Sequence, residues 1–256
     1  NSESLTCNDR PILPIMGEFH FSRYPAGEWK TALKNMQQGG VDIVATYVFW
    51  IHHEETEGEW DFSGRRNLKA FLKCCQEAGM KVWLRIGPWA HGECRNGGFP
   101  DWLVEKEKRG KLSLRTDDLK YVDIFFTKIA EQADGYMHMD GGPVIGIQIE
   151  NEYGHAGGPS DREEGMAHMR TLRVMAEKKG LTAPYFSATG WGGAYVPEVF
   201  LPVLGGMWML RGRIIHTNLR QARISCFSLF TTIPISHRIS PKDRAVLPLI
   251  RQNSLT

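Results

Sequence analysis

The stretch "IGIQIENEYGH" (residues 145–155) decides how the chain is read. Ile145, Ile147 and Ile149 alternate with small or polar residues, the two-residue period of a β-strand. The apolar pattern then stops. Glu150 and Glu152 follow, with Asn151 between them and Tyr153-Gly154 after. Carboxylates are costly to take out of water, so two at the end of an apolar strand call for a chemical reason rather than a packing one.

Outward from this strand, strand-like and helix-like patterns alternate. "ILPIMGEFHF", "VDIVATYVFW", "KVWLRIGPW" and "PYFSATGW" read as further strands. Between them, "GEWKTALKNMQQGG" places Trp29, Leu33 and Met36 at helical spacing, and "NLKAFLKCCQEAGM" places Leu68, Phe71, Leu72 and Cys75 on one face. "DLKYVDIFFTKIAEQA" stacks Val122, Phe125, Phe126 and Ile129, and "EGMAHMRTLRVMAEKKG" turns Met166, Met169 and Leu172 inward. Repeated βα units predict a parallel sheet with right-handed crossovers. An open doubly wound sheet and a closed barrel both satisfy the pattern. No G-x-G-x-x-G follows the first strand, which weakens nucleotide binding. His20, Tyr47, Trp50, Glu93, Glu152 and Trp191 instead follow the C-terminal ends of several different strands. In a barrel those ends share one face, where active sites are built. The expected fold is therefore α/β, an incomplete (β/α)8 TIM barrel, because five βα units cannot close eight strands.

The totals fit. The chain has 256 residues, 42% hydrophobic and 23% charged, an ordinary globular balance, and no apolar run is long enough for a membrane span. It lacks a starting Met, and "NSESLTCNDRP" has no apolar signal core, so a processed or partial product is expected. The five cysteines (Cys7, Cys74, Cys75, Cys94, Cys226) form no C-x-x-C pair and leave the redox compartment open. The net charge of +2 hides an asymmetry: residues 207–256 carry eight Lys/Arg and one acid, Asp243, while residues 1–206 carry 23 Lys/Arg against 28 Asp/Glu. A basic tail suits a nucleic-acid arm, but this one lacks a helical basic stripe or interleaved aromatics, so no nucleic-acid partner is expected.

Glycoside hydrolysis needs two carboxyl groups, one to protonate the leaving oxygen and one to attack or to activate water. A Glu at the end of an apolar strand, in an aromatic cleft, suits the proton donor. The preceding Asn supplies an amide that can hold a sugar hydroxyl. For the neighbours two readings stay open. Tyr47 and Trp50 are site residues or barrel core, and Glu93 is a site residue or a surface loop acid. Trp89 and Trp191 stack on a pyranose or pack inside. His20, His52, His53 and His91 form no metal-ligand set and read as polar loop residues, and Cys74-Cys75 reads as helix packing.

With these residues in view, "GGPVIGIQIENEYG" resembles the signature of glycoside hydrolase family 35, β-galactosidases with a (β/α)8 catalytic barrel. The likeness runs over roughly residues 10–206 and includes "GEFHFSRYP", "TYVFWIHHEETEGEWDFSGRRNL", "LRIGPWAHGECRNGGFPDWL" and "ATGWGG". It implies that Glu152 is the general acid/base and that Asn151 holds the hydroxyl beside the reacting carbon. It also implies that Glu93 binds galactose hydroxyls with Gly92 lending backbone, and that Tyr47 borders the sugar. The substrate implied is a β-galactoside or oligosaccharide, with no metal or organic cofactor and a slight lean to a periplasmic or secreted setting. Two positions depart from the family's pattern: Phe49, where Pro is common, and Gly92, where Ala is common. Another β-linked sugar, or a non-catalytic carbohydrate-binding relic, are the rival readings.

The resemblance also implies a nucleophilic Glu near the end of a seventh strand, yet residues 207–256 contain no Glu and show no strand–helix alternation. Met207-Trp208-Met209 has only one coding, ATG TGG ATG. Moved back by one base, and with CTC CGT GGA following, it reads Tyr-Val-Asp-Ala-Pro-Trp, similar to the family's "GGYVDAPW". Residues 1–206 are thus expected to be partial barrel, and residues 207–256 an out-of-frame, non-native tail.

Overall fold

The computed structural model describes residues 5–7, 10–12, 14–108, 119–189 and 193–203. The expected out-of-frame tail, and with it Trp191 and Cys226, lies outside them. Two short strands, β1 (Leu5–Cys7) and β2 (Arg10–Ile12), pair antiparallel ahead of the main body. Six parallel strands follow, β3 (Met16–Glu18), β4 (Ile43–Tyr47), β5 (Lys81–Gly87), β6 (Val144–Ile149), β7 (Tyr185–Ala188) and β8 (Leu201–Val203). They lie side by side in chain order. The helices are α1 (Trp29–Gln38), the single turn α2 (Trp50–His53), α3 (Leu68–Glu77), α4 (Asp101–Lys108), α5 (Lys120–Ala133) and α6 (Arg162–Lys178). Sequential parallel strands with helical crossovers make an incomplete (β/α) barrel. None of the described helices is long and apolar enough to cross a membrane.

Each crossover helix forms for reasons visible in its sequence. Asn67 caps α3, its side chain accepting from the Ala70 amide at 2.8 Å, and Asp161 caps α6 on the Glu164 amide at 2.9 Å. Gly40, Gly79 and Gly180 adopt left-handed φ just beyond α1, α3 and α6. The buried faces of α1, α3 and α5 are those the spacing predicts. In α6, Met169 and Leu172 are buried with Gly165, His168 and Ala176, while Met166 is only half-buried.

The sheet divides two cores. Val44, Val82, Leu84, Ile86, Ile147 and Ile149 meet the helices. Met16, Ile43, Ala45, Trp83, Ala188 and Val203 form a second cluster with no helical residue in it, the inner side of the half-barrel, where Ile145 and Phe186 also pack. The alternation of Ile145, Ile147 and Ile149 predicts one common face, but a register break between β5 and β6 separates them. Val82 faces Val144 while Trp83 faces Gly146, so one residue is extra on β6. That bulge sends Ile145 inward and keeps Ile147 and Ile149 against the helices. Gly146 then fits under the Trp83–Phe186 pair, where a β-carbon would come within 3.0 Å of Phe186.

Candidate active site

The bulge fixes a polar layer above this inner core. In register across β4, β5 and β6, Tyr47 sits beside Arg85 and Arg85 beside Gln148. All three reach one atom. Asn151 Oδ1 accepts from the Tyr47 hydroxyl at 3.2 Å, from Arg85 Nη2 at 3.1 Å and from Gln148 Nε2 at 3.4 Å. Three donors on one side of the amide settle which side is oxygen. The Asn151 amide nitrogen then points its hydrogens elsewhere, with no acceptor among the described residues.

Arg85 anchors the layer. Its guanidinium lies 3.6 Å over the Tyr47 ring, and its Nη1 is ion-paired to Glu18 of β3. His20 Nε2 stands 3.7 Å from the same Glu18 carboxylate. Burial, then the charges of Arg85 and Arg23, lower the His20 imidazole to about 3, so it is neutral near neutral pH. Burial pushes the Tyr47 phenol well above its usual value. Arg85 opposes this, and the nearby carboxylates of Glu18, Glu93 and Glu152 reinforce it.

The backbone beside this layer is strained in a confined way. Among the described residues, five that are not glycine have positive φ: His91 (55°), Glu93 (47°) and Asn96 (54°) after β5, and Glu150 (56°) and Glu152 (53°) after β6. Each such residue costs on the order of 1 kcal/mol or more, and such strain clusters at functional sites. The loops hold because their backbone groups are tied back. Glu150 N–H donates to Gly87 O at 2.8 Å, Glu152 N–H to Ala188 O at 3.2 Å, and Gly92 lies inside a turn closed by Cys94 N–H to His91 O at 2.9 Å. Beyond Glu152, Tyr195 is clamped between Gly154 and Gly165, where added β-carbons would fall 2.7 and 2.1 Å from its ring.

Asn151 and Gly92 thus meet the Tyr47 side chain, and the carboxylates of Glu93 and Glu152 are near enough for their charge to bear on its phenol. At Gly92 the approach is close: a β-carbon there would lie 3.1 Å from Tyr47 Cδ2. Asn151 and Gly92 are buried, Glu152 is half-buried and Glu93 is exposed. Trp50 takes its core reading, fully buried and stacked on Phe125 at 4.5 Å. Trp89 is half-buried against Phe99 and Gly97. Among the described residues no three His, Cys, Asp or Glu side chains converge as metal ligands. Cys75 is buried on α3, where burial raises its thiol. The sequence reading missed Glu18, Arg85 and Gln148. The signal was a charged or amide side chain inside an otherwise apolar strand.

A comparison with known families decides what this arrangement belongs to. The profile of glycosyl hydrolases family 35 matches residues 4–193. The chain belongs to that family. This family 35 chain is 35% identical over 170 residues to a β-galactosidase of Xanthomonas manihotis, covering 65% of this chain and 27% of that protein. It is 37% identical over 152 residues to the Homo sapiens β-galactosidase, covering 59% and 22%. The chain therefore spans about a quarter of the length of these relatives. Solved structures share the fold. A GH5_18 protein from Streptomyces cattleya in complex with GlcNAc superposes with a TM-score of 0.53 at 14% identity, covering 69% of this chain and 44% of that one. The exo-β-1,4-mannosidase Op5Man5 from Opitutaceae bacterium strain TAV5 gives 0.52 at 18%, covering 70% and 32%.

Proposed function

We propose that this chain carries the acid/base half of a retaining β-galactosidase site. The observation that carries the reading is the locked Asn151 amide. Its oxygen is taken by Tyr47, Arg85 and Gln148, which leaves its N–H groups to donate to a sugar hydroxyl next to the reacting carbon. Glu152, the next residue, gives its proton to the glycosidic oxygen as the bond to the leaving group breaks. A nucleophilic Glu about 5 Å away forms the galactosyl-enzyme, and Glu152, now a carboxylate, takes a proton from the attacking water. Glu93 accepts hydrogen bonds from galactose hydroxyls, Gly92 offers backbone, and Tyr47 walls the ring while its oxygen stays free to accept.

The nucleophile is not in residues 207–256, which hold no Glu. We assign it to the continuation that one inserted base after codon 206 would restore. Losing one member of a catalytic unit costs several orders of magnitude in rate, so the 256-residue chain should be nearly inactive on an aryl β-galactoside. The frame-restored, extended protein should turn it over, and Glu152→Gln in that protein should abolish turnover while keeping galactose binding. Ordinary turnover by the 256-residue chain itself would overturn both the nucleophile and the tail assignment. Equal turnover of β-glucosides by the restored protein would favour a different sugar.

A further inference from the structure

Beside the Tyr47 site lies a cleft of about 320 Å3, lined by Arg23, Ile51, His52, Glu55, Arg66, Glu93, Cys94 and Arg95. Its size is at the lower end of small-molecule pockets. Three guanidiniums line it, and their surroundings differ. Arg66 is paired with Asp61 at 2.6 Å and Glu55 at 3.5 Å, and Arg95 with Asp101 at 2.7 Å. Arg23 makes no ion pair among the described residues. It is nevertheless held in place, its guanidinium 4.3 Å over the Phe49 ring and its Nη2 donating to the Glu93 carbonyl at 3.3 Å. A guanidinium stacked and tethered in this way loses little freedom on meeting a planar anion.

Two further features define the chemistry. His52 reports the local field: burial and then Arg23, Arg66 and Arg65 hold its imidazole at about 4, so it stays neutral. Its Nδ1 is engaged by Ser22 Oγ at 2.8 Å. Against this stand two lining carboxylates. Glu55 already faces Arg66, but Glu93 has no ion-pair partner among the described residues and would repel an anion placed against it. The lining therefore carries both signs of charge, with Arg23 and Glu93 adjacent. A bare anion has no use for Glu93, and a neutral sugar can accept from Arg23 but leaves its charge uncompensated. A ligand that carries both hydroxyls and one negative group uses both.

We infer that this cleft is a subsite for an anionic sugar residue, a uronate or a sulfate ester, whose charge faces Arg23 and whose hydroxyls face Glu93. The inference rests on the β-galactosidase reading, since it places the acidic residue next to the galactosyl position. Only the charged group distinguishes such a residue from a neutral neighbour, so discrimination comes from Arg23.

The test is ligand-observed NMR titration of the full 256-residue chain with glucose, glucuronate, glucose 6-sulfate, inorganic sulfate and galactose, at low and at moderate salt. Glucuronate and glucose 6-sulfate should each bind about three- to tenfold tighter than glucose at low salt, and the preference should shrink as salt screens it. Comparing the two separates carboxylate from sulfate ester. Arg23→Ala should reduce both to the level of glucose and leave galactose unchanged. Arg23→Gln, which keeps a stem over Phe49, should do the same. Equal binding of glucose and glucuronate with galactose still bound would sink the subsite alone. Inorganic sulfate binding as well as the sugar sulfate, or sugar binding indifferent to both variants, would reduce the cleft to an adventitious ion site and overturn it too. Arg23-dependent glucuronate binding with no galactose binding would keep the subsite and overturn the galactosidase reading. No binding by any sugar would overturn both.

Discussion

The Phe49 ring fills the space that a β-carbon on residue 92 would need. Built onto Gly92, that carbon would lie 2.9 Å from Phe49 Cε1 and 3.0 Å from Cζ, inside any real contact. The two positions that the resemblance marks as departures, Phe49 and Gly92, therefore pack directly against each other. Gly92 also has a φ of 51°, which favours glycine. Gly92→Ala should destabilise the chain by about 1–3 kcal/mol. Combined with Phe49→Pro the loss should fall short of the sum of the two single changes by at least about 0.5 kcal/mol. Urea denaturation of the four proteins measures this, and strict additivity would show that the positions are independent.

Arg85 joins β3, β4 and the loop after β6 through Glu18, Tyr47 and Asn151. Arg85→Met keeps the bulk over the Tyr47 ring but leaves the Glu18 carboxylate without its partner and Asn151 Oδ1 without one of three donors. Expected is a stability loss of about 2 kcal/mol, together with weaker galactose binding. Galactose binding unchanged in a folded Arg85→Met protein would remove Arg85 from the site's support.

Three histidines make the fold acid-sensitive in one direction. Burial foremost holds His20 at about 3, and His52 and His53 at about 4, while the unfolded chain titrates them near the ordinary 6.5. Between these values the unfolded chain binds protons that the folded one refuses. Their contribution is whole above pH 6.5, is lost as pH falls toward 4, and for His20 continues to fall toward 3. The urea midpoint should drop through that window. His53, stacked 4.6 Å from Phe62, is best tested as His53→Phe, which should lower the proton uptake on unfolding by about one of up to three. An unaltered slope would show that His53 is already protonated in the fold.

Gly165 lies in α6 with Tyr195 against it, and a β-carbon there would fall 2.1 Å from Tyr195 Cδ2. Gly165→Ala raises helix propensity but must push Tyr195 off the loop that follows Glu152, where Tyr195 N–H donates to Tyr153 O. A net loss of about 2 kcal/mol or more is expected, with Tyr195→Ala in the same chain relieving part of it. A stabilised Gly165→Ala protein would mean that the loop yields freely.

Most of the fold was legible because each long element has a clean period: Leu33 and Met36, Phe71 and Leu72, Phe125 and Phe126 all lie on buried faces. The short pieces were not. Leu201–Val203 is three residues around Pro202, which reads as a loop although a strand edge tolerates it. "ILPIMGEFHF" reads as one strand, yet only Met16–Glu18 is the parallel strand. Pro14 separates it from Ile12, which pairs in the hairpin, and Phe21–Arg23 turns into a single 3-10 turn. Glu152 and Asn151 stood out because carboxylates and amides are rare where a strand ends. Arg85 and Gln148 did not, because their common target, Asn151, depends on the β5–β6 register and its bulge, which no local pattern encodes.

The neighbour order of the main sheet bears on synthesis. Each strand from β4 to β8 lies against the one made just before it, so a chain emerging from the ribosome can dock every new βα unit on a surface already present. Ladder formation never has to wait for a distant segment. Only the closing seam of a full barrel needs the first and last strands together. A growing chain can thus pass through an open, progressively widening sheet, with the loop that bears Asn151 and Glu152 following β6 and so made before β7 and β8.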